Sequence, residues 1–540
     1  MIAIAYALRS GRWGLIGFGA LGFVSTLMQT LSFYRVAGNT PPERAAFGRN
    51  VSALALELTA LLPPPVRPDT AGGYVQYMAL GTLAVGFAVW ALVSAAGAAR
   101  WDEERGLTEA ILATSLGRLA MVLTRVVAFA CSAFVAAAAA GAAMALAAWL
   151  SGDSFPLQPI FEAAASLAAL GMFCYCLTFL IVQLTPARAA VAVAGAVLLA
   201  LFLLNSLSRT LSSLVSLRPL SPFHYYELSG PVAPGGGLDV RATLTLVAAG
   251  VVLAIGAGLA FASRDLGSPL FTLPPRARPR GYDAATSAWW RIPVARDLYL
   301  HRAALAAWTV GMAALAAVFV AVTRAAIQPV LAIPEFGRIF AGLVNREIFV
   351  LLLDSHWFGT AQLLLAAFAI TVVARWAADD AEGRLELALA QPRSRSVVVV
   401  ERAASLAAGS ALIATVCALV VGYASHLDGI ELDRGKLAAA SLLLIPFTLV
   451  FGAAGSLLTS WHPRSAVGLL GAFAFASYLD FESGAIVQWP DWAQDLSAFK
   501  LYGSPLLLGV DRLGVALMIL LALAGFAGSI LAMAGRDVGS

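Results

Sequence analysis

Two charged segments of the chain repeat the same residues at the same spacing, and neither carries the residues of a catalytic site. The pattern Gly-x-x-Glu-x-x-x-Ala-x-x-x-x-Arg-x-x-x-x-x-x-Arg returns after 277 residues. Apolar residues between the charges predict a short amphipathic helix whose charges face water; these residues are Leu107, Ile111 and Leu112, and in the second copy Leu385, Leu387 and Leu389. Such a helix can bind another protein; the alternative is a charged turn that serves only membrane topology. The repeated residues are Gly106, Glu109, Ala113, Arg118 and Arg125, and then Gly383, Glu386, Ala390, Arg395 and Arg402.

Two further landmarks repeat in the same order as the charged segments. Leu-Ser-Pro-Phe with a following Tyr at 220–226 returns as Leu-Ser-Ala-Phe with a Tyr at 496–502. Pro186 and Arg188 correspond to Pro463 and Arg464. A fixed internal period is the signature of a duplicated structural unit. We therefore predict two homologous halves, residues 1–265 and 296–540, joined by a Pro/Arg-rich linker at 266–295.

The chain lacks the residues that ATP hydrolysis or metal chemistry would need. A phosphate-binding loop requires Gly-Lys-Ser or Gly-Lys-Thr, but Lys436 is followed by Leu and so is Lys500. The five histidines are scattered without metal-ligand spacing. We predict no catalytic residues, no metal and no cofactor in this chain. Any ATP and Mg²⁺ would be bound by a separate polypeptide.

Long apolar segments position the repeated loops. Hydrophobic residues make up 60% of the sequence and charged residues 12%, with a mean hydropathy of +0.83. Such a composition excludes an ordinary soluble protein. Apolar runs long enough to cross a bilayer predict an all-α polytopic membrane protein with about twelve spans. They lie near 14–34, 75–98, 121–149, 159–182, 188–206, 242–262, 303–323, 358–374, 403–425, 437–459, 465–480 and 513–534.

The distribution of basic residues predicts the orientation of the spans. With the N-terminus inside, most of the 35 Lys and Arg residues fall in cytoplasmic segments, as the positive-inside rule requires. Both termini and both repeated loops are then cytoplasmic. An even number of spans in each half predicts two parallel repeats of six helices related by a pseudo-two-fold axis along the membrane normal.

The repeated loop after the second span resembles the coupling region of type 2 ABC exporter permeases. The segments Tyr6–Arg12 and Asp297–Arg302 are similar to the interfacial elbow helices of that family. A fused twelve-span permease resembles the actinobacterial polyketide-antibiotic exporters of the tetronasin type and the mycobacterial multidrug exporter permeases. The resemblance covers essentially the whole chain.

The resemblance implies roles for individual residues and partners. A homodimeric ABC ATPase subunit would dock on two coupling helices and drive export of an amphipathic small molecule across the bacterial plasma membrane; no nucleic acid partner is expected. The aromatic residues Phe223, Tyr226, Phe499 and Tyr502 would rim the exit, or else serve as ordinary membrane-interface aromatics. The coupling residues would be Glu104, Gly106, Glu109 and Arg118, with Glu382, Gly383, Glu386 and Arg395.

Two other classes of protein remain as alternatives to the exporter. A secondary drug–proton antiporter also has two parallel six-span repeats, but it should carry an acidic residue deep within a span. The antiporter would also leave the repeated loop unexplained. A membrane enzyme or structural membrane protein is the third class, and the sequence shows no convergent catalytic cluster. The repeat therefore favours the ATP-driven exporter.

Overall fold

The computed structural model shows a helical membrane protein. It describes residues 2–38, 40–57, 63–104, 106–114, 116–209, 211–268, 270, 292–332, 345–381, 383–390, 393–487 and 497–535. All regular secondary structure in these ranges is helical, which confirms the predicted all-α class. Among the described residues, 11 helices are long and apolar enough to cross a membrane. The predicted span at 465–480 falls in a helix whose described apolar part, Ala466–Tyr478, is shorter.

The chain divides into two compact units, Met1–Arg278 and Pro279–Ser540. The division falls within the predicted linker, of which residues 271–291 lie outside the described ranges. In unit 1 the helices are α1 (Ile2–Val36), α2 (Pro41–Glu57), α3 (Ala71–Val75), α4 (Gly81–Ala96), α5 (Asp102–Glu104), α6 (Leu107–Leu112), α7 (Arg118–Leu150), α8 (Leu157–Leu184), α9 (Ala187–Leu207), α10 (Pro222–Glu227) and α11 (Val240–Ser263).

Unit 2 repeats this order of elements. Its second span again contains one turn of π-helix, Asp354–Phe358, where unit 1 has Gln76–Leu80. The helices are α12 (Pro293–Leu300), α13 (Arg302–Ala332), α14 (Asn345–Leu353), α15 (Gly359–Ala381), α16 (Arg384–Leu389), α17 (Arg395–Leu427), α18 (Arg434–Trp461), α19 (Pro463–Val487), α20 (Ala498–Tyr502) and α21 (Arg512–Ala534).

The fourth span is the packing centre of each unit. In unit 1, α8 contacts the second, third and sixth spans, and in unit 2, α18 makes the same three contacts. Small residues allow this close approach, because a Cβ on Gly452 would lie 2.1 Å from the Leu406 side chain. The last span of each unit starts at a matched aspartate: Asp239 and Asp511 accept hydrogen bonds from backbone N–H groups in the first turn.

The two units differ where each enters its first span. In unit 2 the predicted elbow helix is present as α12, which ends before His301, and α13 begins at Arg302. In unit 1 the segment Tyr6–Arg12 is instead part of the unbroken helix α1.

Candidate functional site

The predicted coupling helix is present in both units and starts from the same backbone turn. The first repeated loop (residues 101–117) contains α6, and the second repeated loop (378–394) contains α16. Each helix follows a glycine in the left-handed region, Gly106 at φ 71° and Gly383 at φ 71°. This conformation is accessible to glycine at little cost, which accounts for the glycine in both copies.

The backbone hydrogen bonds of the two loops also correspond one to one. The Gly106 N–H donates to the Glu103 carbonyl at 3.0 Å, and the Gly383 N–H donates to the Asp380 carbonyl at 3.2 Å. At the other end, Ala113 and Ala390 donate to the carbonyls of the two repeated glutamates at 3.0 and 2.8 Å. The sequence repeat is therefore a repeat of three-dimensional structure.

Each short helix buries one residue and exposes its glutamate. Thr108 and Leu385 occupy the same position and are buried, whereas Glu109 and Glu386 are exposed. We expected Leu107 to pack inward with Ile111 and Leu112, but it is exposed because Thr108 faces the core. In the second loop Leu387, also expected to pack, is 73% exposed.

The repeated arginines Arg118 and Arg395 attach the third span to the end of the sixth. The Arg118 Nη1 donates to the carbonyls of Phe261 and Arg264 at 2.9 and 2.7 Å, beyond the last turns of α11. Arg395 donates to the Met533 and Ala534 carbonyls at the end of α21. Both arginines satisfy helix C-terminal carbonyls that lack intrahelical partners. Their coupling role stays a prediction, and their contacts here are internal to each unit.

A buried ion pair fixes the first loop to the chain that follows the sixth span. Arg264 donates to both carboxylate oxygens of Glu103, at 2.9 and 2.6 Å, and these side chains are 1% and 6% exposed. Arg264 also donates to Gln183, and the Gly267 N–H donates to Glu103. Burial opposes ionisation of Glu103, but these hydrogen bonds and the charges of Arg264 and Arg100 hold its pKa below its ordinary value.

Two further arginines complete the loop end of unit 1. Arg125 donates to Asp102 at 2.9 Å. Arg100 donates to the carbonyls of Val182 and Thr185, both at 2.9 Å, at the end of α8. The first loop therefore rests on the second, third, fourth and sixth spans at once.

The ion pairs described at the second repeated loop are more exposed than those at the first. Asp379 pairs with Arg384 at 3.0 Å, with side chains 42% and 57% exposed. Arg393 pairs with Glu401 at 3.1 Å. Arg402, the counterpart of Arg125, lies over the Trp376 ring at 5.6 Å from its centroid.

Two predicted coupling residues cannot be placed against these contacts. The side chain of Glu104 and the whole of Glu382 lie outside the described residues. Their assignment stays a prediction.

The aromatic residues expected at an exit are buried in the core of their own unit. Phe223, Tyr226, Phe499 and Tyr502 are 4%, 6%, 0% and 2% exposed. Tyr226 donates to the Leu80 carbonyl at 3.0 Å, and Tyr502 donates to the Ala440 carbonyl at 2.8 Å. Buried tyrosines pack well because their hydroxyls find such partners. A role at an exit stays a prediction, since these contacts lie inside each unit.

Each unit contains a cavity near its loop end, among its first three spans. The cavity of unit 1 has a volume of about 460 Å³ and is walled by Trp90, Phe129 and Tyr175 beside the Asp102–Arg125 pair. The cavity of unit 2 has a volume of about 340 Å³. Equivalent residues of the second and third spans line both cavities. These residues include Ser94, Ala128, Phe129 and Ser132 in unit 1 and Thr371, Ser405, Leu406 and Gly409 in unit 2.

The residues that sequence reasoning missed are the partners of the repeated charges. In the sequence, Asp102 and Glu103 are two acids of a charged run, and Arg264 is a basic residue of a predicted loop. The repetition of Arg125 as Arg402 is the one sequence feature that points to these contacts. No sequence spacing links Glu103 to Arg264, because 161 residues separate them.

One protein family matches the chain across both units. The family model described as multidrug efflux system permease Rv1217c, C-terminal domain, matches residues 67–262 and 291–534. No curated protein matches. The matched residues include both repeated loops and most of the apolar helices. The protein is thus a multi-pass membrane permease with a transport role rather than an enzyme, and it belongs to the multidrug efflux permease family of Rv1217c.

Proposed function

We propose that the chain is the permease subunit of an ATP-driven ABC exporter and that its two repeated loops dock a separate homodimeric ATPase. One observation carries the proposal: two loops 277 residues apart share the same left-handed glycine, the same hydrogen bonds and an exposed glutamate on a short helix. A duplicated docking surface suits a partner that itself consists of two copies.

The anchoring of the loops supports a mechanical role. The first loop leads directly into α7, and Arg118 ties the start of α7 to the end of α11. Arg395 makes the same connection between α17 and α21. A force applied to either short helix would therefore reach two spans through hydrogen bonds to a charged group, which are stronger than neutral ones.

The exposed faces of the two helices suggest unequal contacts with the partner. The exposed positions of α6 include Glu109 and Ala110, and the matching positions of α16 are Glu386 and Leu387. Leu387 offers an apolar side chain where Ala110 offers almost none. We expect the second loop to bury more apolar area on docking and to contribute more to ATPase affinity.

The exported molecule is proposed to be an amphipathic small molecule, such as a polyketide antibiotic or drug. Membership of an efflux family supports export, and the aromatic walls of the cavities suit apolar ring systems. ATP and Mg²⁺ would be held by the partner. The permease would lie in a bacterial plasma membrane with both termini and both loops in the cytoplasm.

The test is purification of the permease from its native host, with mass spectrometry of the proteins that remain bound. We expect a soluble ATPase in stoichiometric amount, and we expect Glu109→Ala with Glu386→Ala to remove most of it or to abolish substrate-stimulated ATP hydrolysis. Glu431→Ala is the matched control, because Glu431 is also exposed but lies between α17 and α18, away from the loops.

Two results would argue against the proposal. Intact ATPase binding and stimulation in the double variant would exclude the two glutamates as the coupling contacts. A permease that purifies alone and moves drug in response to an imposed proton gradient would favour the antiporter.

A further inference from the structure

The cavity of unit 2 combines aromatic walls with a buried guanidinium that has an unsatisfied donor. It lies between α12, the start of α13, α15 and α17, and its volume of about 340 Å³ is in the range of small-molecule pockets. Trp308 and Phe368 stand in edge-to-face contact on one side, with ring centroids 5.9 Å apart. Asp297, His301 and Arg375 form the polar part of the lining.

Arg375, which lines this cavity, lacks a hydrogen-bond acceptor for one of its donors among the described residues. Its Nη1 is buried and has no hydrogen-bond acceptor within the described part of the chain. A buried donor without an acceptor is destabilising, and more so when the group is charged. Because Nη1 has almost no surface open to solvent, a small turn of the Arg375 side chain toward the cavity would let a ligand oxygen satisfy it.

The same motif in unit 1 shows that this arrangement is not required by the fold. Arg100 and Arg375 both belong to an Ala-Arg-Trp sequence at the end of the second span. The Arg100 Nη2 donates to two carbonyls of unit 1 at 2.9 Å each. The cavity of unit 1 is instead lined by Arg125, which is already paired with Asp102. Within the described ranges, the Arg100 Nε is also buried without an acceptor, but Arg100 does not line the cavity of unit 1, whereas Arg375 lines that of unit 2.

The carboxylates nearest to Arg375 are engaged by other groups. Asp297 lies 3.1 Å from the His301 Nδ1 and is also hydrogen-bonded by Ser405, and Asp379 pairs with Arg384 at 3.0 Å. Both carboxylates interact with the charge of Arg375 through space. Arg375 thus keeps part of its hydrogen-bonding capacity for an external acceptor.

We propose that the cavity of unit 2 binds an aromatic amphiphile that carries an acidic oxygen group, such as a carboxylate or sulfonate. The ring system would lie against Trp308 and Phe368, and the acidic group would accept a hydrogen bond from the Arg375 Nη1. The inference that exported molecules enter through this cavity rests on the proposed function. Binding of the ligand itself requires no ATPase.

The test compares two fluorescent probes that differ only in the acidic group: anilinonaphthalene sulfonate and the uncharged phenylnaphthylamine. Both are titrated into the purified full-length permease in lipid nanodiscs, with empty nanodiscs subtracted. We expect saturable sulfonate binding that Arg375→Met weakens about tenfold or more, because the variant loses a hydrogen bond between charged groups. Binding of the uncharged probe should change less than twofold.

Three further variants keep the proposal testable if Arg375→Met folds poorly. Ala304→Phe fills the cavity without altering a charge and should reduce binding of both probes. Arg375→Lys retains the charge but not the planar donor array, so its sulfonate affinity should lie between wild type and Arg375→Met. Arg434→Met removes an exposed arginine at the start of α18 and should leave both probes unaffected.

Equal sulfonate affinity in wild type, Arg375→Met and Ala304→Phe would overturn the proposal. So would a parallel loss of both probes in Arg375→Met with the fold intact, because the acidic group would then play no part. Assaying ATPase co-purification on the same preparations separates the two proposals. Sulfonate binding without an ATPase would refute the export mechanism alone, and a bound ATPase without sulfonate binding would refute the site alone.

Discussion

The two repeated loops have the same backbone but are held in place by different interactions. In unit 1 the ion pair behind the loop, Arg264–Glu103, has side chains 1% and 6% exposed. In unit 2 a described pair of the same loop, Arg384–Asp379, has side chains 57% and 42% exposed. The two copies thus share their turn geometry, and the described ion pairs beside them differ in burial.

This difference predicts unequal stiffness of the two loops. Exposed ion pairs are screened by salt and contribute about 0–1 kcal/mol. A buried pair is screened far less, and loss of one partner leaves an uncompensated charge. The first loop is thus fixed to the end of the sixth span by a buried pair, whereas the described pairs of the second loop, Arg384–Asp379 and Arg393–Glu401, are partly exposed. Under the proposed function, the two docking positions would respond differently to the same motor.

The largest predicted effect is the loss of the buried pair in unit 1. Arg264→Met should lower the free energy of unfolding by about 3–5 kcal/mol, because it leaves the buried Glu103 carboxylate with only the longer contact to Arg100, at 3.5 Å, and the Gly267 N–H. The matched change Arg384→Met in unit 2 should cost no more than about 1 kcal/mol. Denaturant titration measures both, and hydrogen exchange should show faster opening of α5 and α6 only in Arg264→Met. Equal costs in the two units would contradict the contrast between the loops.

The same pair predicts a stability that depends on pH in unit 1. Because the pKa of Glu103 is lowered in the folded protein, its ionised form stabilises the fold at pH values above the ordinary value of 4.5. That contribution is lost as the pH falls through the folded pKa. We expect wild type and Glu103→Gln to differ most in melting temperature at neutral pH, and we expect the difference to shrink as the pH falls below 4.5 and through the folded pKa of Glu103. A constant difference from pH 7 to pH 3 would exclude Glu103 as the titrating group.

The fold and the position of the loops were predictable because they depend on local sequence patterns. Apolar runs set the spans, and the repeat of Gly106 and Glu109 at Gly383 and Glu386 located two equivalent helices. A left-handed turn requires glycine, so its position was visible in both copies. The helical period predicted that Leu107 would face inward, but Thr108 is buried and Leu107 is exposed. A helix of six residues is too short for the period to define one apolar face.

The support behind the loops was not predictable, because it depends on contacts between distant residues. Arg264 and Glu103 meet only when the sixth span returns to the loop, and no spacing rule records that distance. For the same reason, no spacing shows that Arg118 and Arg395 donate hydrogen bonds to carbonyls at the end of the sixth span. The core contacts of the four aromatics in the second landmark repeat are hidden in the same way: the rings of Phe223 and Phe499 are buried, and the hydroxyls of Tyr226 and Tyr502 donate to backbone carbonyls of other elements.

The next largest effect concerns the two arginines that join the third and sixth spans. Arg118→Met and Arg395→Met should each cost about 2 kcal/mol, because hydrogen bonds to a charged donor contribute about 1.5–3 kcal/mol. Arg118 also lies 5.4 Å from the centroid of the Phe261 ring, so its loss should cost slightly more. Denaturant titration measures the cost, and exchange at the last turns of α11 and α21 locates it. A change confined to the loops would contradict the C-terminal contact.

The smallest predicted effect tests what the two loops share. Gly106→Ala and Gly383→Ala should each cost about 1–2 kcal/mol, because an L-residue is strained in the left-handed region. The costs should be equal, since both glycines have φ 71° and no atom lies within 4 Å of the added Cβ in either loop. Gly86→Ala and Gly311→Ala are the matched controls: both lie within helices, have free space around the added Cβ, and should be neutral or stabilising. A cost at Gly106 well above that at Gly383 would show that the buried ion pair strains the first turn, so that even the shared backbone of the two loops differs in energy.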